Sequence, residues 1–112
     1  MQLQVVFFKA LSGSEPVREW LKSLSVDDKK IIGEDIKTVQ FGWPIGMPVL
    51  RKIEPGLWEV RSSLKNRIAR VLFTVEGGYM VLLLGFIKKS QKTPLADLRL
   101  AKERLAWLRG EQ

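Results

Sequence analysis

The sequence predicts an α+β domain in which helices pack on a small, mostly antiparallel sheet. Short alternating or β-branched runs occur near the start of the chain and again across residues 57–87. Apolar residues at helical spacing lie between these two regions and again after Pro94. The chain has 112 residues without a repeat or linker, so we expect one domain over residues 1–112.

The first part of the chain predicts one strand and a helical hairpin. Residues 3–8 form a β-branched and aromatic run, which is typical of a strand. A helix is expected near Pro16, because proline is tolerated in a first turn, and apolar residues follow at helical spacing over 17–24. Ser25 is the expected N-cap of a second helix that ends near Phe41.

A glycine- and proline-rich loop over residues 42–48 separates this hairpin from three predicted strands. These strands are expected at residues 57–62, 68–75 and 79–87. Gly77 and Gly78 form the expected turn between the last two strands. Thr93 is the expected N-cap of a final helix, with Pro94 as its first residue. The predicted order is strand, two helices, three strands, helix.

The composition excludes several kinds of site. The chain has no Cys and no His, which rules out disulfides, Cys/His zinc sites, thiol catalysis and Ser-His-Asp triads. No carboxylate cluster suggests a divalent metal site, so we expect no metal and no cofactor. The longest apolar run, residues 80–84, is far shorter than a membrane span, and the N-terminus lacks the basic start of a signal peptide. We therefore expect a cytoplasmic protein that does not enter a membrane.

The net charge of +7 lies entirely in the second part of the chain. Residues 1–50 contain six basic and six acidic side chains, whereas residues 51–112 contain thirteen basic and six acidic side chains. A one-sided excess of this kind is typical of a protein that binds a polyanion. Charge alone leaves open a basic surface that only keeps a small protein soluble.

Two sets of basic residues are expected to converge at one edge of the sheet. If the polar faces that alternation gives the two strands coincide, Arg61 and Arg70 lie side by side across a hairpin, where guanidinium groups suit phosphate. Residues 88–92 supply three lysines just before a helix N-terminus, which favours an anion. An exposed sheet face also often holds Arg–Glu pairs, and Glu59 is available for one. Most aromatic residues fit core faces, but Trp43 in the loop is a candidate for stacking on a base or a partner.

The order and spacing of these motifs resemble the RelE/ParE toxin superfamily, and most of all its phage-derived HigB-like branch. The resemblance covers roughly residues 1–108, and its motifs are residues 57–61, 67–73, 84–94 and 101–104. Its most specific motif, residues 84–94, reads Leu-Gly-Phe-Ile-Lys-Lys-Ser-Gln-Lys-Thr-Pro. Leu84 stands where the family often has His, which removes an imidazole that could aid catalysis.

The resemblance implies the toxin of a type II toxin–antitoxin pair. Members of this kind are small basic ribonucleases that cleave mRNA, usually on the ribosome. A helix-turn-helix antitoxin neutralises the toxin, and the complex binds operator DNA. At the matching positions, Arg61 and Arg70 are expected to stabilise phosphate and transition-state charge, and Lys89 and Lys92 to bind the RNA backbone or protonate the leaving oxygen. The residues expected to contact RNA are Arg67, Lys88, Gln91 and Thr93.

The chemistry is consistent with this residue set, although two other functions remain open. Attack by a 2′-hydroxyl on the adjacent phosphate needs no metal, and Arg and Lys can hold the phosphate and stabilise its extra charge. The general base is not identified, since Glu59 fits by position but also suits an ion pair with Arg61. The alternatives are a ParE-like inhibitor of DNA gyrase and a basic nucleic-acid-binding module without catalysis. A protein target does not demand phosphate-binding groups, whereas the missing His and unassigned base keep the non-catalytic module open.

Overall fold

Three helices and five strands form the part of the chain that the structure, a computed structural model, describes: residues 2–44, 48–88 and 92–110. The strands are β1 (Gln4–Phe7), β2 (Leu50–Glu54), β3 (Leu57–Leu64), β4 (Arg67–Glu76) and β5 (Tyr79–Lys88). The helices are α1 (Pro16–Lys22), α2 (Val26–Gly42) and α3 (Leu95–Leu108). Within these residues, no helix combines the length and the apolar character needed to span a bilayer.

The five strands form one sheet in the order β1-β5-β4-β3-β2. β1 runs parallel to β5, and each of the other neighbouring pairs is antiparallel. β3, β4 and β5 form a meander joined by tight turns, in which successive strands pair with each other. The prediction of an α+β fold with a small, mostly antiparallel sheet is confirmed.

Both faces of the sheet are covered by helices. On one face, which we call the hairpin face, strand residues such as Val60, Val71 and Phe73 pack with the apolar sides of α1 and α2. On the opposite face, the α3 face, a smaller cluster joins Leu57 and Leu72 to α3. Charged residues on the α3 face are therefore shielded from water. The alternation of apolar and polar residues along the strands had instead suggested a solvent-exposed face.

The helix starts agree with the sequence at α1 and α2 and differ at α3. α1 begins at Pro16, and the Ser25 hydroxyl accepts a 3.2 Å hydrogen bond from the backbone N–H of Asp28 at the start of α2. At α3, however, Pro94 is the N-cap and makes no side-chain capping bond, so the prediction of Thr93 as N-cap is wrong. The Thr93 hydroxyl instead donates to a buried carboxylate.

β2 was not predicted from the sequence. The strand is only five residues long and lies between Pro48 and Pro55. Its alternation of apolar and polar residues is therefore too short to predict a strand. It forms because it pairs with β3 at the edge of the sheet, where Leu50 lies opposite Val60 and joins the core of the hairpin face. An edge strand tolerates flanking prolines because only one of its sides has to hydrogen-bond to a neighbour.

Candidate nucleic-acid interface

Arg61 of β3 lies directly opposite Arg70 of β4 in the antiparallel register. The predicted juxtaposition of the two arginines across the hairpin is therefore present. The same register places Phe86 of β5 beside Arg70, and Phe86 belongs to the core of the α3 face. The two guanidinium groups thus start from adjacent backbone positions on the face that α3 partly covers.

Glu59 lies between these two arginines and is fully buried. Its Oε1 is 3.7 Å from Nε of Arg61, and its Oε2 is 3.6 Å from Nη1 of Arg70. Oε2 also accepts a 2.9 Å hydrogen bond from the hydroxyl of Thr93. Because an isolated buried carboxylate is costly, these contacts compensate the burial of Glu59, and they fix the two guanidiniums around it.

A third arginine, Arg51, belongs to the same group and was missed in the sequence. β2 places Arg51 opposite Glu59 in the register with β3. Its positive charge is one of the influences that lower the pKa of Arg70. Three neighbouring strands therefore supply Arg51, Glu59, Arg61 and Arg70, which we call the arginine cluster. The available signal was the basic pair at positions 51 and 52, but it gains meaning only once β2 is known to pair with β3.

The arginine cluster has more positive than negative charge, and this affects Arg70. Burial lowers the pKa of the Arg70 guanidinium, the charge of Glu59 raises it, and the charges of Arg61 and Arg51 lower it. Arginine stays protonated in proteins in spite of such a shift, so three cations surround one carboxylate. A further anion is favoured beside such a group, because it offsets the repulsion among the guanidiniums.

The two predicted phosphate-binding arginines differ in accessibility. Arg70 has no exposed surface, whereas 18% of the Arg61 side chain is exposed. Nη1 of Arg70 also lies 3.5 Å from the Thr93 hydroxyl. In this arrangement Arg61 can meet a ligand from solution, and Arg70 supports it from within.

Two of the three predicted lysines, Lys88 and Lys92, are among the described residues. Lys88 is exposed at the end of β5, where it pairs in register with Ile68 of β4, two residues before Arg70 on the same face. Lys92 is exposed, and Thr93 is partly buried against Glu59. Lys89 and Gln91 lie outside the described residues, so their predicted roles stay predictions.

Arg67 lies apart from the arginine cluster. Its odd position in β4 puts it on the hairpin face, where Nη2 binds both carboxylate oxygens of Asp28 at 3.0 and 3.2 Å. This ion pair joins β4 to the start of α2. The structure therefore does not bring Arg67 together with Arg61 and Arg70, and its described contact is structural.

Trp43 is partly buried and packs against the core of the hairpin face. Its ring centroid lies 5.0 Å from that of Trp58 and 5.8 Å from that of Phe73, in edge-to-face arrangements. These are ordinary aromatic packing distances. Trp43 is the C-cap residue of α2, and part of its ring is covered by the sheet, whereas the hypothesis that it stacks on a base or a partner stays a prediction.

The chemistry that these residues can perform is anion binding and charge stabilisation. The arginine cluster offers guanidinium donors that are held by strands and by a buried carboxylate, and Lys88 adds an exposed ammonium group on the same face. Among the described residues, no group of three or more Asp or Glu side chains is arranged to hold a metal ion.

Comparison with known families gives one match. The model of a family described as "Phage derived protein Gp49-like" matches residues 19–106, which is more than half of the 112-residue chain. The matched part contains all members of the arginine cluster and the segment through Thr93. The description names neither RelE nor HigB. No curated protein matches the chain.

Proposed function

Because the chain belongs to the phage-derived Gp49-like family, a family associated with RelE/ParE-like toxins, we propose that it is the toxin of a type II toxin–antitoxin pair. We further propose that it is a metal-independent, ribosome-dependent endoribonuclease that cleaves mRNA and blocks translation in the cytoplasm. The family match supports the toxin role, and the arrangement of the described residues supports the nuclease role.

The observation that carries the nuclease proposal is the arginine cluster. Arg61 and Arg70 lie opposite each other and share Glu59, and the exposed part of Arg61 is available to a phosphate. Arginine binds phosphate through paired N–H donors and remains charged at any physiological pH. A protein–protein inhibitor has no need for such a group on a sheet face.

The proposed reaction uses the RNA's own 2′-hydroxyl as nucleophile. Attack on the adjacent phosphorus adds negative charge to the phosphoryl oxygens, and a fixed guanidinium near these oxygens lowers the barrier. We assign this role to Arg61, with Arg70 and Glu59 holding its guanidinium in place. Glu59 is fully buried and already binds two arginines and Thr93, so we assign it positioning rather than base catalysis.

The lysines of residues 88–92 are proposed to complete the site. Lys88 is exposed beside the cluster, so we assign it to the RNA backbone. Lys92, and Lys89 from its place in the sequence, are proposed to bind the backbone or to protonate the leaving 5′-oxygen. Groups of the ribosome can supply the remaining proton transfer or order the RNA.

The proposed partners follow from the same assignment. A helix-turn-helix antitoxin is expected to neutralise the protein, and the complex to bind operator DNA. The net charge of +7 favours a partner with an acidic segment, because such a segment can compete with RNA for the basic surface.

The complete burial of Arg70 favours a second candidate function. In that candidate, the same surface binds nucleic acid without cleaving it, since a buried ion-pair network can serve the fold alone. A ParE-like inhibitor of gyrase differs from both candidates because it is expected to cause DNA damage signalling in the cell.

Controlled expression tests these functions. The wild type and Arg61→Ala are induced in cells, and the 5′ ends of mRNA are mapped across the transcriptome. We expect growth arrest with new cuts in phase with codons for the wild type, and loss of these cuts for Arg61→Ala. Arg18→Ala is the matched control, because Arg18 is an exposed arginine on α1 outside the arginine cluster, where it pairs with Glu15 and lies over the Phe7 ring.

Folding is monitored separately, so that loss of cuts is not mistaken for loss of structure. Each purified variant is compared with the wild type by circular dichroism and thermal unfolding. Growth arrest without cuts contradicts the nuclease proposal. Arrest with DNA damage signalling then indicates a gyrase-directed toxin, and binding to RNA without arrest indicates the non-catalytic module.

A further inference from the structure

An open cavity of about 440 Å³ has Arg61 of the arginine cluster in its wall. Cavities of about 300–1,000 Å³ are typical of small-ligand sites. Asp35 of α2 and Ser63 of β3 also line this cavity. Its wall therefore includes residues that carry a guanidinium, a carboxylate and a hydroxyl, and such groups suit a ligand that has both an anionic part and N–H donors.

Asp35 is the unexplained member of this group. It is partly buried, and within the described part of the chain its carboxylate makes no hydrogen bond or ion pair. Among the described ion pairs, Arg61 is joined to Glu59 rather than to Asp35. A carboxylate accepts hydrogen bonds and donates none, so a ligand that satisfies Asp35 must bring N–H or O–H groups.

The remaining wall of the cavity is apolar. Ile31 comes from α2, Pro48 and Val49 precede β2, and Ile68 lies on β4 opposite Ser63. Flat aromatic ligands such as nucleobases bind between apolar side chains and make hydrogen bonds only at their edges. The cavity thus combines apolar walls for the faces of a ring with polar groups for its edge.

We propose that this cavity binds a guanine base of the RNA, on the nucleotide whose phosphate meets Arg61; the inference rests on the proposed RNA-directed function. Guanine has two adjacent donors, N1–H and the N2 amino group, which match the two oxygens of one carboxylate. Adenine and cytosine place a ring-nitrogen acceptor beside their amino group, and uracil has one N–H between two carbonyls. Asp35 therefore selects guanine, and the Ser63 hydroxyl can donate to its O6.

Binding of short RNAs to the purified full chain tests the selection directly. Four pentanucleotides are used that have G, A, C or U at the centre and uridine elsewhere, and their affinities are measured by calorimetry or fluorescence anisotropy. We expect the G pentamer to bind about tenfold more tightly than the U pentamer, since one hydrogen-bonded pair with a charged group has about this effect. In Asp35→Ala, the ratio of the G and U affinities is expected to fall to about one.

Glu34→Ala is the matched control. Glu34 precedes Asp35 on α2, is exposed and does not line this cavity, and its substitution removes the same charge from the same helix. We expect Glu34→Ala to keep the preference for guanine. If both variants lose the preference equally, the effect is one of net charge and the assignment of Asp35 is overturned.

Mapping of cut sites in cells is the second measurement. It distinguishes failure of the guanine site from failure of the proposed RNA-directed function. For the wild type, guanine is expected at one fixed position relative to the cut, and Asp35→Ala is expected to cut without this bias. Cuts or pentamer binding without a guanine preference overturn the guanine site and leave the RNA-directed function intact. Absence of both cuts and pentamer binding overturns the proposed function, and the guanine site with it.

Discussion

The hydroxyl of Thr93 donates a 2.9 Å hydrogen bond to Oε2 of Glu59, and this bond joins the residues before α3 to the arginine cluster. The two residues are 34 positions apart in the sequence. Oε2 is also the oxygen nearest to Arg70. The position of the chain that leads into α3 therefore depends on the same carboxylate that holds the arginines.

Thr93→Val is expected to destabilise the protein by about 1–2 kcal/mol. Valine has nearly the same shape, but it leaves a buried carboxylate oxygen without its hydroxyl donor. The free energy of unfolding, measured by urea titration, checks this value. Thr38→Val is the control, because the Thr38 hydroxyl donates to the backbone oxygen of Glu34 at the surface. An equal loss in both variants would show that the hydroxyl bond to Glu59 has no special role.

Glu59→Gln is expected to destabilise the protein by roughly 3 kcal/mol or more. Removing one partner of a buried ion pair leaves the other charges uncompensated, and here at least Arg61 and Arg70 are affected. Chemical denaturation measures the loss, with Glu15→Gln as a control at an exposed i,i+3 pair, where a change below about 1 kcal/mol is expected. A stability equal to that of the wild type would mean that water or other groups already compensate the arginines.

Arg67 and Asp28 are expected to show a coupling energy of about 1 kcal/mol in a double-mutant cycle. Nη2 of Arg67 donates to both carboxylate oxygens, and the pair is partly shielded, with 38% of the Arg67 side chain and 15% of the Asp28 side chain exposed. The measurement compares unfolding of Arg67→Ala, Asp28→Ala and the double variant. The prediction from the sequence that Arg67 contacts RNA is tested in the same variants: RNA binding that falls in Arg67→Ala without loss of stability would support it.

Binding to ribosomes or RNA is expected to weaken steeply as the salt concentration rises. Each phosphate contact in single-stranded RNA contributes about 0.7 to the slope of log affinity against log salt. Arg61→Ala is therefore expected to reduce the magnitude of this slope by about 0.7, whereas Arg18→Ala leaves it unchanged. A flat salt response of the wild type would contradict the basic face as the binding surface.

The sequence was sufficient to predict most of the fold because its local patterns were strong. Helical spacing, a serine cap and a glycine pair identified α1, α2 and the turn between β4 and β5 correctly. β2 was missed because its alternation is short and lies between prolines, so that only pairing with β3 makes it a strand. Thr93 was assigned to the wrong partner because the buried Glu59, 34 residues away, competes with the helix end for its hydroxyl.

The site was predicted in part, for similar reasons. Alternation indicated a polar face for each arginine, and the pairing of β3 with β4 places Arg61 directly opposite Arg70. The same alternation puts Arg67 on the hairpin face, away from Arg70. The sequence therefore already indicated that Arg67 lies apart from the arginine cluster. The burial of Arg70 was not predictable, since it depends on how α3 covers its face of the sheet. Arg51 could not be recognised without β2.

The parallel pairing of β1 with β5 has a consequence for the order of events during synthesis. Gln4 pairs with Tyr79, so their positions differ by 79 − 4 = 75 residues. The β3–β4 hairpin, by contrast, joins residues close together in the chain and can form early, because local contacts close at a smaller entropic cost. β1 thus leaves the ribosome well before the strand with which it pairs, and a nascent chain that stops before β5 cannot complete this sheet. The sheet of a newly made copy therefore stays incomplete until β5 has been synthesised.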